Sequence, residues 1–267
     1  MKQNITINEL KQIQLDILKD IHAFCKAEGL VYSVAYGTLI GAVRHKGFIP
    51  WDDDIDIMMP RKDYDRFCRT YGHEYYKVAS TDTIATYPIP YAKVYDSRTR
   101  VREHVEYPTE YGISVDVFPV DNVPDDPKTR SRFYAGKKRL NVLHVLKITS
   151  VNRTRSFVKN AVLAVSHVLL SVVNMRSLVR KMEKVSATYS NVDTKDAAVV
   201  ACNDNTQRWI LPAHMYRETI EMEFEDTKVC APKEYHAMLT SVYGDYMQLP
   251  PEEQRVTHHH FDAWWIN

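Results

Sequence analysis

The sequence predicts an α+β fold. Three observations carry this: a strand, turn and helix pattern runs from Val31 to Gly47; acidic and apolar residues alternate from Asp52 to Met59; and Arg130 to Ser190 is patterned for helices. The chain has 267 residues, 45% apolar and 26% charged, which fits a folded protein and excludes collagenous, disordered and low-complexity readings. With 35 Lys and Arg against 34 Asp and Glu, the net charge of +1 supplies no global basic field for nucleic acid or an anionic bilayer. Anion recognition must then be local.

Taken in order, Thr6 and Glu9 form a capping signature ahead of Leu10, Ile13, Ile17, Leu18, Ile21 and Phe24, so a helix is expected to run to Glu28 and stop at Gly29. Val31–Ala35 is β-prone, and Gly37-Thr38 opens an apolar helix that closes at Gly47. Asp52–Met59 is expected to be a strand ended by Pro60. A short helix follows over Asp63–Tyr71, then strands over Tyr91–Tyr95 and Ile113–Val117. Asp121–Pro127, with three acids and two prolines, is the expected boundary between a core over 1–122 and a mostly helical segment over 123–267 that completes the domain. Two or three helices are expected between Arg130 and Ser190, then strands at Ala197–Cys202, Thr219–Phe224 and Lys228–Val229, a helix over Pro232–Tyr243 and an irregular aromatic tail.

Cys25, Cys68, Cys202 and Cys230 match neither a zinc pattern nor a disulfide framework, and Met1–Asn8 carries no secretory signal, so a reduced, cytoplasmic protein is expected. Asn160–Met175 lacks Asp, Glu, Lys and Arg but is too short to span a bilayer, for which about 20 apolar residues are needed. Ser156, Asn160, His167, Ser171 and Asn174 share one helical face, so 156–175 is amphipathic. It either packs on the core or, flanked by Lys159 and Arg176, inserts shallowly into the inner face of the cell membrane.

The segment Asp52-Asp53-Asp54-Ile55-Asp56-Ile57 carries the chemistry. In a strand, Asp52, Asp54 and Asp56 point to one side and Asp53 to the other, where it reads as structural. Three converging carboxylates need a cation, and hard oxygen ligands suit Mg²⁺ or Mn²⁺. An EF-hand loop is excluded because its sixth position is Ile57 and its twelfth is Asp63. At the helix start, backbone N–H groups of Gly37 and Thr38 can hold a phosphate, and Arg44 offers a bidentate fork for the same anion. Asp116 lies between Val115 and Val117 in a strand pressed on the core, so it should meet a metal, act as a base or form a salt bridge.

These residues fall in a run, Tyr36-Gly-Thr-Leu-Ile-Gly-Ala-Val-Arg-His-Lys-Gly-Phe-Ile-Pro-Trp-Asp-Asp-Asp-Ile-Asp-Ile57, that resembles the LicD family of the nucleotidyltransferase superfamily. Tyr91-Ala-Lys-Val-Tyr-Asp96, Gly112-Ile-Ser-Val-Asp-Val-Phe-Pro119 and Tyr243-Gly-Asp-Tyr-Met247, with Pro250-Pro251 and the tail Arg255–His259, extend the likeness. The resemblance implies a polymerase-β-like core, a small mixed sheet with flanking helices, plus a helical insert and a C-terminal extension. It implies a metal pair at Asp54 and Asp56 assisted by Asp52, a third carboxylate at Asp116, nucleotide phosphates at Gly37 and Thr38, and charge neutralisation by Arg44 and Lys93. It further implies transfer of phosphocholine from CDP-choline to a hydroxyl of a cell-surface glycan precursor of teichoic acid, capsule or lipopolysaccharide type, with CMP released. CDP-ribitol or CDP-glycerol as donor, transfer of NMP to a small acceptor, or an inactive nucleotide- or glycan-binding module stay open. A choline head calls for an aromatic box, and Trp264 and Trp265 are candidates, or else they anchor the C-terminus; His258–His260 cannot all face one ion from adjacent positions.

Overall fold

The computed structural model describes residues 3–103, 110–151, 156–201, 206–257 and 261–266. Helix α1, Ile7–Glu28, starts and stops where the sequence says. The Thr6 hydroxyl accepts the Glu9 N–H, the Glu9 carboxylate accepts the Thr6 N–H at 2.8 Å, and Gly29 leaves the helix at a left-handed φ of 64°. Its apolar stripe, Ile13, Ile17, Leu18 and Ile21 among others, is buried, each such side chain contributing about 1.5–3 kcal/mol of hydrophobic stabilisation.

That stripe lies on a mixed sheet. Strands β1 (Ser33–Val34), β2 (Asp56–Pro60), β3 (Tyr76–Ala79), β4 (Ala92–Asp96) and β6 (Ser114–Asn122) are ordered β1-β2-β6-β4-β3, and β5 (Thr99–Glu103) lies outside it. Strand β6 is central: β2 runs parallel to it on one side and β4 antiparallel on the other. Its far end pairs with β7 (Asp196–Ala198), which pairs with β8 (Leu211–Pro212). Asp121 and Asn122, expected in a boundary segment, are thus the end of β6. Asp121 is fully buried, where Arg61 grips it with two hydrogen bonds of 2.7 Å.

Helices α2 (Tyr36–His45) and α3 (Arg61–Thr70) flank β2. Beyond β6 come α4 (Pro127–Ile148), α5 (Phe157–Leu169) and α6 (Met175–Ser186), so the helical segment holds three helices. The hairpin of β9 (Thr219–Phe224) and β10 (Thr227–Pro232) precedes α7 (Tyr235–Tyr243); Pro232, expected in that helix, closes β10 instead. The tail is not irregular: β11 (Phe261–Trp265) pairs antiparallel with β5. Of the strand expected over Ala197–Cys202 only the start is strand, and Cys202 lies outside the described residues. Cys25, Cys68 and Cys230 are free thiols. Among the described residues no helix is long and apolar enough to cross a membrane.

Candidate active site

The register of β2, β6 and β4 builds the centre of the site. Asp56 is the cross-strand partner of Asp116, and Asp116 is the partner of Lys93, so the three side chains stand in one row on one face. Their neighbours Ile55, Ile57, Val115 and Val117 are fully buried on the opposite, core side. Within the row, the Lys93 ammonium donates to Asp116 Oδ1 at 2.5 Å.

The acidic run does not behave as a strand throughout. Asp52 N–H closes a turn on the Ile49 carbonyl at 2.9 Å, and strand geometry begins at Asp56. Exposure still alternates through it: Asp52 and Asp54 are half-buried, Asp53 and Ile55 are buried, and the Ile55 carbonyl already accepts the Asp116 N–H at 2.9 Å. Asp53 is buried, as expected of a residue facing away from Asp52 and Asp54, while its carboxylate still comes within 4.8 Å of theirs.

The start of α2 abuts this cluster. A Cβ on Gly37 would come within 2.5 Å of Asp52 Oδ2, so only glycine lets that carboxylate lie against the helix N-terminus, whose positive dipole end favours it. The Thr38 hydroxyl accepts the Asp56 N–H at 2.9 Å and fixes the first residue of β2 to the same helix turn. Between them the chain is strained: Tyr36 holds a left-handed φ of 46°, an arrangement that folds rarely retain away from functional sites.

Burial, first, and then the carboxylates of Asp54, Asp116 and Asp52 push the Asp56 carboxyl well above the ordinary range, and Lys93 opposes them. Asp52, Asp54 and Asp116 thus crowd Asp56, with the Lys93 ammonium held on Asp116. Convergent oxygen donors with excess negative charge are the donor set of a hard divalent cation, and Asp52, Asp53, Asp54, Asp56 and Asp116 fit one.

Residues 29–142 match the family described as LicD/FKTN/FKRP, nucleotidyltransferase domain. The chain is 33% identical over 273 residues to the lipopolysaccharide cholinephosphotransferase LicD of Haemophilus influenzae, covering 98% of this chain and 99% of that one. The chain belongs to the LicD family. Shorter matches join it to uncharacterized proteins of Rickettsia typhi, 43% identical over 58 residues, and Rickettsia prowazekii, 45% identical over 47 residues, each about a fifth of the chain.

In this LicD-family chain the cationic side of the site is built by distant residues. Arg44 lies in the last turn of α2, where its Nη1 donates to the Tyr246 carbonyl at 2.8 Å and its Nε faces His45 Nε2 at 2.9 Å. Burial and the nearby Arg255 make its guanidinium less basic than usual. Arg255 itself lies over the Trp51 ring, 5.6 Å from its centroid, and Trp51 directly precedes Asp52. Two guanidiniums without a carboxylate partner among the described residues therefore come together, linked to the acidic run through the Trp51 ring. Arg255 was legible only as the start of a tail motif, because nothing local links positions 44 and 255.

A second missed contributor is Glu225, at the tip of the β9–β10 hairpin with φ 52°. Its N–H donates to the Lys46 carbonyl at 2.7 Å and its carboxylate accepts the Phe48 N–H at 2.9 Å, clasping the loop that leads into Asp52. Gly47 permits this approach, since a Cβ would lie 2.1 Å from the Glu225 carboxylate and displace it.

Of the two readings of the tail tryptophans, the anchoring one fits their place. Trp264 and Trp265 lie on β11, paired with β5, with Arg102 and Arg98 over their rings; they anchor the C-terminus. Rings adjoining the acids are instead Tyr36, packed edge-on against Trp209 at 4.7 Å and Phe118 at 5.3 Å, with Tyr91 tilted against Phe118 and half-exposed Tyr243 against Trp209. His258–His260 lie outside the described residues. A cleft of about 560 Å³ opens at the other end of β2, beside Arg61, Lys62 and Asp193, away from this chemistry.

Proposed function

We propose that this chain transfers phosphocholine from CDP-choline to a hydroxyl of a lipopolysaccharide-type acceptor, releasing CMP, on a polymerase-β-like core formed by residues 1–122 and completed by 123–267. The single observation that carries this is the row Asp56, Asp116 and Lys93 beside the Asp52–Asp54 cluster and the α2 N-terminus. It is supported by full-length similarity to a protein named for transferring phosphocholine to lipopolysaccharide.

In this reading Asp52, Asp53, Asp54, Asp56 and Asp116 would hold Mg²⁺ or Mn²⁺, which when bound supplies Lewis-acid stabilisation of the diphosphate charge. The chain's own groups do the remainder. N–H groups of Gly37 and Thr38 and the Thr38 hydroxyl proton donate to phosphate oxygens, while Arg44, Arg255 and Lys93 offset the charge that gathers on departing CMP. The acceptor oxygen attacks the phosphorus bearing choline, the bond from that phosphorus to the CMP oxygen breaks, and the hydroxyl proton passes to Asp116. Choline, a quaternary ammonium that cannot donate hydrogen bonds, is held against the faces of Tyr36 and Tyr243.

Calorimetric titration with CDP-choline, CDP-ribitol and CTP, each with and without Mg²⁺, tests this. Metal-dependent binding that favours CDP-choline, with phosphocholine appearing on the acceptor by mass, is expected. Preference for CTP with a retained nucleotide would replace the proposal by nucleotidyl transfer.

A further inference from the structure

Helix α5 faces outward. Among its residues only Leu163 is buried, whereas Phe157 is 86% exposed, Val158 70%, Val165 58% and Leu169 69%, with Val172 just beyond the helix at 89%. Val158, Val165 and Leu169, spaced seven and four apart, share one stripe, and Phe157 widens it at the start of the helix. The polar side is the one used internally: His167 Nε2 donates to the Thr149 carbonyl at 3.1 Å, and Lys147 Nζ to the Leu170 carbonyl at 2.8 Å, pinning α5 to α4. The core-packed alternative for 156–175 is thereby corrected, and the stretch is not one helix, since Asn174 caps α6 by accepting the Ser177 N–H. Val142 and Val145 on α4 are exposed as well.

The charge around this stripe has one sign. Residues 127–182, which contain α4, α5 and most of α6, hold thirteen Lys or Arg and no Asp or Glu. The remaining chain holds twenty-two cationic against thirty-four acidic side chains, so the near-zero total conceals a strong separation. Lys138, Arg139 and Lys159 are exposed on the hairpin. The hairpin is also tied to the rest of the chain: His144 on α4 donates to the Pro88 carbonyl at 2.6 Å, and the following α6 is fixed by Arg176, which donates to the Thr81 carbonyl at 2.8 Å, and Arg180, which pairs with Asp82.

We propose that the α4–α5 hairpin docks the protein on an anionic lipid bilayer, the outward stripe of α5 entering the interface and the surrounding Lys and Arg pairing with lipid phosphates. The argument is charge complementarity joined to an apolar stripe. A protein partner or second copy would be met by mixed charge at the rim, whereas 56 residues without one acid match a surface of uniform negative sign. The proposal does not rest on the transfer reaction.

The test uses the full chain with vesicles of phosphatidylcholine alone or with about 30% phosphatidylglycerol, in about 0.1 M and 0.5 M salt, without donor or glycan. Cosedimentation with the anionic vesicles at low salt is expected, weakened about tenfold or more by Val158→Asp with Val165→Asp, and similarly by Lys138→Glu with Arg139→Glu. Both pairs are exposed, so unchanged circular dichroism is expected. As an independent readout, Phe157→Trp should blue-shift its emission on anionic vesicles alone. Equal sedimentation of wild type and variants, no sedimentation, or a dimer by light scattering that Val158→Asp with Val165→Asp dissociates would each overturn the proposal. Since no reactant is present, vesicle binding and turnover fail independently.

Discussion

Replacing Asp54 by Asn should make the metal-free protein more stable while removing its response to Mg²⁺. Carboxylate oxygens of Asp52, Asp53 and Asp54 lie within 4.8 Å of one another, so each pair repels by about 3.5 kcal/mol at an effective dielectric of 20 and about 0.9 kcal/mol at that of water. Asp54 takes part in two of the three pairs. Because Asp52 and Asp54 are half-exposed, the water-like end applies, and about 2 kcal/mol of repulsion is relieved by a side chain of the same shape without charge. For a chain of this size that raises Tm by about 4–8 °C in EDTA. Wild type should gain about 2.7 kcal/mol when Mg²⁺ reaches a hundredfold excess over its Kd, and the variant far less. Calorimetric melting in EDTA and in Mg²⁺, alongside turnover expected to fall roughly 10²–10³-fold, checks the crossing pattern. A variant that melts below wild type in EDTA, or an equal Mg²⁺ gain in both, would refute the electrostatic account of the cluster.

Arg255→Gln should raise KM for the CDP-linked donor roughly tenfold with little change in melting, since its guanidinium lies over Trp51 and repels Arg44 with no carboxylate partner among the described residues; steady-state kinetics read this out. Asp121→Ala removes the fully buried partner of Arg61, leaving its guanidinium the 3.5 Å contact with Asp65, and should cost about 1.5–3 kcal/mol by urea unfolding, with donor affinity preserved in the folded fraction. Glu225→Ala frees the loop entering Asp52, so kcat should fall while binding of free CMP holds, and Glu225→Gln should recover most of the loss because its amide oxygen can still accept the Phe48 N–H. His144 is buried and held less basic than usual by desolvation, so the unfolded chain takes up its proton first as pH falls. Its share of stability is complete above about pH 6.5 and drains away as pH drops below it, a slope that His144→Gln should flatten in unfolding titrations.

Much of the fold was legible because local rules wrote it. The capping box at Thr6 and Glu9, the left-handed Gly29 and the apolar period of α1 are each decided within a few residues, and α1 is as expected. Elements decided by partners were not. β11 reads as an irregular tail because its pairing with β5 joins residues about 160 positions apart, and Asp121 reads as linker because the arginine that lets it be buried lies sixty positions earlier.

The site divides along the same line. Gly37, Thr38, Asp56 and Asp116 come from short segments whose type and order carry the chemistry, and the structure gathers them. The alternation rule holds in exposure, half-buried Asp52 and Asp54 against buried Asp53 and Ile55, but the turn at Ile49–Asp52 delays the strand to Asp56. That delay has a chemical consequence. A strand beginning at Asp52 would spread three carboxylates along about 13 Å of one face, too far for one ion, whereas the turn folds Asp52, Asp53 and Asp54 to within 4.8 Å. The loop leading into this cluster is clasped by Glu225, about 170 positions further along the chain, so the geometry a cation would meet at residues 52–54 is tied to the β9–β10 hairpin.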